Sequence, residues 1–339
     1  MPLSGQSANP EPGPGTFPPR ARVVVLQGSR MHRRLNGQPG KGQHMRIGRI
    51  ILGLLVIGAA GAWYLTSPKP LSDADVAGVT GDATRGALVF HAAGCASCHM
   101  ADKAVGEAQL VLSGGQRFAT AFGTFVAPNI SPDPEHGIGG WTLAEFASAV
   151  QRGVSPEGQH YYPAFPYAAY GRATLQDVAD LKAYIDTLPA SPDPSQPHEV
   201  RFPFNIRASL GGWKLLFAGG DWAVPGNLTP TEARGRYIAE ALAHCGECHT
   251  PRNALGGLDR ARWLGGAPNP SGKGTIPNIT PGKLTWSEAE ILEYLTTGFT
   301  PEYDSVGGEM VHVVENLAKL PAGDRQAIAA YLKRVPAVE

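Results

Sequence analysis

The chain has 339 residues, and its 29 Lys and Arg are matched by 29 Asp and Glu, a formal net charge of zero. That balance is a cancellation: residues 1–65 carry eight basic side chains (Arg20, Arg22, Arg30, Arg33, Arg34, Lys41, Arg46, Arg49) against the single acid Glu11, a net +7 that leaves −7 for residues 66–339. So acidic a remainder excludes nucleic acid as its partner, because such binding rests on neutralising phosphates with Lys and Arg, while the length and a hydrophobic fraction of 42% exclude one small core and global disorder and suggest about two packed domains.

Residues 1–44 hold seven Pro and seven Gly with no apolar period, so they bury too little to offset chain entropy. They are read as a disordered tail or as residues ahead of a true start at Met45. Ile50 to Leu65 is then free of charge, and a transmembrane helix is expected over 47–66 if Arg49 snorkels toward the headgroups. The basic residues lie on its N-terminal side and Trp63 and Tyr64 at its far end, so the positive-inside rule and the aromatic belt place the rest of the chain outside the cytoplasm. A cleaved signal peptide, with Ala60-Gly61-Ala62 as the site, is the competing reading, and it exports the domains equally.

All four cysteines fall in one repeated pattern, Cys95-Ala96-Ser97-Cys98-His99 and Cys245-Gly246-Glu247-Cys248-His249. Cys-x-x-Cys-His is the attachment signature of c-type haem, and a chance double match in this chain is on the order of 10⁻⁶. Two thiols three positions apart share one face of a helical turn and can add to the two vinyl groups of one porphyrin, and the adjacent His presents its imidazole to the iron. A thioredoxin-like pair, an exported disulfide or a Cys/His zinc site explains the thiols but not the duplicated pentapeptide. The cofactor expected is two covalently bound haem c, on Cys95 and Cys98 with His99 and on Cys245 and Cys248 with His249.

The surrounding order repeats too. Helices over 83–93 and 230–243 precede the motifs. Pro128-Asn129-Ile130-Ser131-Pro132 is echoed by Pro277-Asn278-Ile279-Thr280-Pro281. Trp141-Thr142 and Trp286-Ser287 then open helices at a Ser or Thr N-cap, and Gly153 and Gly298 close them. Final helices are expected over 174–188 and 322–335, with Tyr184 and Tyr331 in matching places. The fold class is mainly α: a cytochrome c domain over 80–190, a connector over 191–229 rich in Pro, Gly and aromatics, and a second cytochrome c domain over 230–339, in tandem behind the single N-terminal helix. The connector is too apolar for a solvated tether.

These segments, with Gly123-Thr124-Phe125, Tyr161-Tyr162-Pro163-Ala164, Cys248-His249-Thr250-Pro251-Arg252-Asn253 and Gly307-Gly308-Glu309-Met310, resemble the multihaem cytochrome c family, which includes the cytochrome subunits of membrane-bound alcohol and gluconate dehydrogenases. The resemblance covers about residues 80–339. It implies class I cytochrome c domains in the periplasm that take electrons from a membrane-associated dehydrogenase subunit and pass them to a downstream cytochrome or terminal oxidase. Those subunits commonly carry three attachment motifs where this chain has two.

A second axial ligand distinguishes the halves. Of the five methionines, only Met310 is both in the exported part and far from a proximal His, and a soft thioether favours Fe(II). It lies twelve residues after Gly298, and twelve after Gly153 lies Phe165. The first haem therefore takes a nitrogen donor, with His160 ahead of His136, or stays five-coordinate. The latter opens an alternative function, a haem enzyme or a gas- or peroxide-reactive protein. Pro251 resembles the family proline whose carbonyl accepts the proximal His Nδ1 proton, which implies that role toward His249; Arg252 is expected at a haem propionate or in solvent, and His91 and His244 at the surface.

Overall fold

The computed structural model describes residues 41–270 and 274–339, with side chains from Met45 onward. Residues 1–40, most of the expected tail, lie outside the described residues. Helix α1 spans Lys41–Thr66, beginning six residues ahead of the expected 47 and absorbing the last four residues of the 1–44 segment. Its stretch Met45–Thr66 is long and apolar enough to cross a membrane, and none of it is buried. The chain divides between Val56 and Ile57 into two units. Within the described residues the first is the leading part of α1, and the second holds everything that follows.

The second unit is mainly helical, and its elements recur in order. Helix α2 (Ala83–Ala93) is capped by Asp82, whose carboxylate accepts from the Arg85 amide, and stopped by left-handed Gly94. Its counterpart α8 (Pro230–Tyr237) has a Thr229/Glu232 capping box and proline at its first turn, and continues as a π-helical turn over Ile238–Leu242. Each packs across the last helix of its half, α2 on α6 (Leu175–Ile185) and α8 on α12 (Ala322–Arg334). The crossings are close enough to demand glycine. A Cβ on Gly86 would overlap the Asp180 carbonyl oxygen, and one on Gly235 the Ala327 carbonyl oxygen; each would also stand 2.8 Å from the Cβ of Tyr184 or Tyr331. The equivalence of those two tyrosines is thus geometric.

Between them, α4 (Leu143–Arg152) and α10 (Glu288–Thr297) start at the expected Thr142 and Ser287, each in a capping box with Glu145 or Glu290. They end at Gly153 and Gly298, both left-handed. A short helix follows each, α5 (Tyr167–Tyr170) and α11 (Met310–Leu317). Strands are few: β1 (Arg117–Thr120), β2 (Gly123–Val126) and β3 (Glu199–Val200) form an antiparallel sheet, and β4 (Ala267–Pro268) pairs with β5 (Thr275–Ile276). The connector supplies β3 and helix α7 (Ser209–Phe217).

One apolar cluster runs through both halves, with Phe90, Leu112, Ile238, Leu264 and Tyr331 fully buried in it. Burying each such large side chain contributes roughly 1.5–3 kcal/mol. Two carboxylates buried inside are satisfied. Asp180, 1% exposed, accepts from the Asp82 amide and from Arg85 at 2.7 and 2.9 Å. Glu240, 2% exposed, accepts from the amides of Ala223 and Val224 and from the Tyr331 hydroxyl, tying the connector to the second half.

Candidate haem sites

Each motif is a single helical turn, α3 (Cys95–His99) and α9 (Gly246–His249). In such a turn the first cysteine, the second and the histidine stand at i, i+3 and i+4, on one face. None of the four cysteines is paired in a disulfide; the first of each motif is half-buried and the second exposed. Burial is the main cause that pushes Cys95 and Cys245 up to about 12, with the neighbouring Cys98 or Cys248 adding to it. Cys98, accessible to solvent yet closely surrounded by protein, is raised to about 11 by the same desolvation, then by Glu309 and by Cys248. Thiols held protonated do not suit a thiolate-driven exchange site. Cys248 is raised as well, by burial first, then by Glu247, with Glu309 adding to it as it does at Cys98.

The two motif histidines are oriented alike. His99 Nδ1 lies 2.8 Å from the Pro128 carbonyl oxygen, and His249 Nδ1 lies 2.8 Å from that of Pro277. With Nδ1 donating, the lone pair sits on Nε2, the atom a metal would take. Desolvation lowers both imidazoles, partly opposed by those carbonyls, so both are neutral as a ligand requires. The donor set and its geometry fit covalently attached haem in both halves.

The repeated Pro-Asn-Ile-Ser/Thr-Pro segment is what holds these carbonyls. Asn129 Oδ1 accepts from the Ser131 amide at 2.8 Å while its Nδ2 donates to the Ser191 and Asp193 carbonyls. Asn278 does the same with the Thr280 amide at 2.8 Å and the Val338 carbonyl at 2.7 Å. The amides of Gly114 and Gly266 close the loops on the carbonyls of His99 and His249, at 2.7 and 2.8 Å. Pro251 does not have the role assigned to it from the sequence: its carbonyl accepts from the Asp259 amide, and Pro277, 28 residues beyond His249, takes the imidazole proton. The first half, given no equivalent, has one in Pro128. A carbonyl carries no side-chain signature, but the repeat of its surrounding pentapeptide was the available signal.

Other expected residues also find places. Arg252 is engaged within the protein, its guanidinium donating to Glu247 and to the Gly256 carbonyl. His91 and His244 are not surface histidines. His91 Nδ1 lies 3.1 Å from Asn316 Oδ1, and Asn316 Nδ2 donates to Ser97 Oγ beside the first motif. His244 packs edge-on against Tyr170 at 5.5 Å and holds a left-handed backbone (φ 41°) where the first half has Gly94. Trp263 lies over Gly246, where a Cβ would overlap its ring, and donates to the Tyr331 hydroxyl at 3.2 Å.

The axial candidates separate clearly. The loop after α4 has a Val154–His160 bridge and a Tyr161 amide on the Gly153 carbonyl at 2.8 Å; the loop after α10 has a Phe299–Ser305 bridge and a Val306 amide on the Gly298 carbonyl at 2.7 Å. In that common register His160 matches Ser305, and counting five residues on, Phe165 matches Met310. Met310 is half-buried at the start of α11. Phe165 has Tyr161, Tyr167 and Tyr170 around it at 6.0, 6.4 and 5.8 Å. His160 is 6% exposed, with Nε2 donating to the Thr66 carbonyl at 2.8 Å and Nδ1 buried without a partner. His136 sits in the loop before α4, its amide on the Asp133 carboxylate.

The sequence comparisons agree with this framework. The cytochrome c family model matches residues 83–189. A protein named "Diheme cytochrome c-type" from Cereibacter sphaeroides is 62% identical over 84% of this chain and 96% of its own length. The fructose dehydrogenase cytochrome subunit of Gluconobacter japonicus is 39% identical and the gluconate 2-dehydrogenase cytochrome c subunit of Pantoea cypripedii 33%, each over 75% of this chain but only 52% and 59% of the relative. The chain thus spans little more than half the length of those dehydrogenase subunits. Attachment motifs, the repeated histidine support and these relatives together establish that the chain belongs to the cytochrome c family.

Proposed function

We propose that the chain is a membrane-anchored, periplasmic electron carrier made of two class I cytochrome c domains in tandem, residues 80–190 and 230–339, each holding one covalently attached haem. The observation that carries this reading is the twofold recurrence of one support: a Cys-x-x-Cys-His turn whose histidine gives Nδ1 to a proline carbonyl at 2.8 Å. When bound, haem supplies reversible one-electron chemistry at iron. Cys95, Cys98, Cys245 and Cys248 would form the thioether links, His99 and His249 would offer Nε2, and Met310 would offer its sulfur as a further ligand in the second half. The proline carbonyls fix tautomer and ring orientation, and the shared apolar core packs against Cys95 and Cys245, the first cysteine of each motif.

By analogy with the dehydrogenase subunits above, the electron donor is a membrane-associated dehydrogenase, and the acceptor a downstream cytochrome or terminal oxidase. The apolar helix α1 is read as the anchor and supports a periplasmic location through its basic N-terminal flank. Denaturing mass measurement and a haemochrome assay on the mature chain test the core of the proposal. Two haems should remain covalently bound, and Cys245→Ala/Cys248→Ala should leave one. One haem in the unaltered chain would defeat it.

A second reading rests on Phe165 standing in the register of Met310 while His160 Nε2 is committed to Thr66. The first half then offers no sulfur at that place and admits small exogenous ligands such as carbon monoxide or peroxide. A high-spin ferric signal from one of the two haems, with rapid ligand binding, supports this reading; its absence leaves the carrier alone.

A further inference from the structure

We propose that residues 201–217 of the connector form a second membrane contact, an interfacial element that seats Phe202, Ile206, Leu215 and Leu216 in the headgroup region of an anionic bilayer. The inference rests on the reading of α1 as a membrane span. Three observations carry it.

The first is the one-sidedness of α7. Leu210 is buried against Phe125 and Tyr162. Lys214 Nζ donates to the Arg152 and Gly153 carbonyls at 2.6 and 2.7 Å with the Tyr167 ring 4.6 Å away, and Trp213 donates to the Leu255 carbonyl. At 100° per residue, the face opposite these contacts carries Gly212, Leu215 and Leu216. The two leucines are 60% and 70% exposed, and Phe202 and Ile206 just ahead of the helix are 78% and 47% exposed. That is an apolar face without a protein partner among the described residues.

The second is continuity with the exit of α1. A Cβ on Gly211 would overlap the Thr66 carbonyl oxygen, so the start of α7 lies directly against the last residue of α1. The same carbonyl accepts from His160 Nε2 at 2.8 Å, and the His160 carbonyl accepts from Arg207 Nη1 at 3.0 Å. The connector is thus tied to the point where the apolar helix ends, beside exposed Trp63 and Tyr64, aromatics of the kind that settle at a bilayer interface.

The third is charge. Residues 201–220 contain Arg201, Arg207 and Lys214 and no acid, in a part of the chain whose net charge is −7. Arg207 and Lys214 are held by the carbonyls of His160, Arg152 and Gly153, which leaves Arg201 as the exposed cation, next to Phe202. An exposed apolar face with a cation at its rim and no acid within it matches an anionic lipid surface.

The test uses the full-length haem-loaded chain in vesicles of mixed zwitterionic and anionic lipid carrying a photoreactive acyl chain, with cross-links mapped by mass spectrometry. Lipid adducts are expected both on α1 and within 201–217. Leu215→Ser/Leu216→Ser, two exposed positions whose substitution leaves the haem spectrum as a folding control, should lose the connector adducts and keep those on α1. Adducts on α1 alone in the unaltered chain overturn this inference and leave the anchor standing. Absence of adducts on α1 overturns the anchor itself, whatever the connector shows.

Discussion

Replacing Phe165 by Met is the most direct probe of how the two halves differ. The substitution removes a ring flanked by Tyr161, Tyr167 and Tyr170 at 6.0, 6.4 and 5.8 Å, and such aromatic pairs are worth about 0.5–1.5 kcal/mol each beyond their area. Met keeps most of the apolar volume, and its flexibility lets it refill the space. A net stability cost of about 1–3 kcal/mol is therefore expected if the thioether does nothing else, readable as a lower urea midpoint at unchanged slope. If the common loop register is right, the sulfur also arrives where Met310 stands in the second half. An internal ligand bond worth only about 2 kcal/mol would lower the apparent affinity for added carbon monoxide or imidazole about thirtyfold. The assay is ligand titration of the reduced protein, followed beside the spin state of the ferric form. A folded Phe165→Met chain whose spectrum and ligand affinity match the unaltered one would refute the register argument. An unaltered chain that already excludes added ligands at both haems would refute the open first site.

Three further outcomes follow from packing and charge. Gly86→Ala and Gly235→Ala should each destabilise by about 1–3 kcal/mol despite the better helix propensity of Ala, because the new Cβ collides with a carbonyl of the crossing helix; Gly323→Ala, with nothing within 4 Å, should not, and denaturant midpoints decide. Glu240→Ala leaves the Ala223 and Val224 amides and the Tyr331 hydroxyl without their acceptor, a loss on the order of 3–6 kcal/mol in the same assay, with Glu240→Gln recovering part of it. Burial lowers the imidazoles of His91, His160, His198 and His244 below 6.5, so below that pH the unfolded chain binds protons that the folded chain refuses. Stability is then fully present above 6.5 and falls with decreasing pH, and His160→Phe should flatten that slope in unfolding curves taken between about pH 7.5 and 5.5.

Much of this was legible in the sequence for reasons that can be named. Attachment chemistry needs its thiols and imidazole in one helical turn, so the motif is contiguous. Caps such as Thr142, Ser287, Gly153 and Gly298 act within four residues of themselves, and the structure places all four where the pattern did. What escaped lies across long separations or on backbone atoms. The acceptors for His99 and His249 are carbonyls 29 and 28 residues away, and a carbonyl has no residue type; resemblance to a family proline just after the motif pointed to Pro251, while its carbonyl accepts from the Asp259 amide. His91 and His244 looked like surface residues because each half was read alone, yet their partners Asn316 and Tyr170 belong to the other half.

His160 shows how a repeat diverges. Its register equivalent in the second half is Ser305, at the same bridge position of the same loop. Only the first half has α1 to secure, and the His160 imidazole reaches the Thr66 carbonyl that ends that helix, a carbonyl with no following turn to satisfy it. A serine is too short to span that gap. The imidazole therefore belongs to the joint between helix and domain, and its buried, partnerless Nδ1 marks the cost of that placement. Removing the joint by His160→Ser, the residue the second half carries, should loosen the end of α1 without altering either haem spectrum. Hydrogen exchange at residues 63–67 reads the first effect, and a changed spin state at the first haem would instead return His160 to the iron.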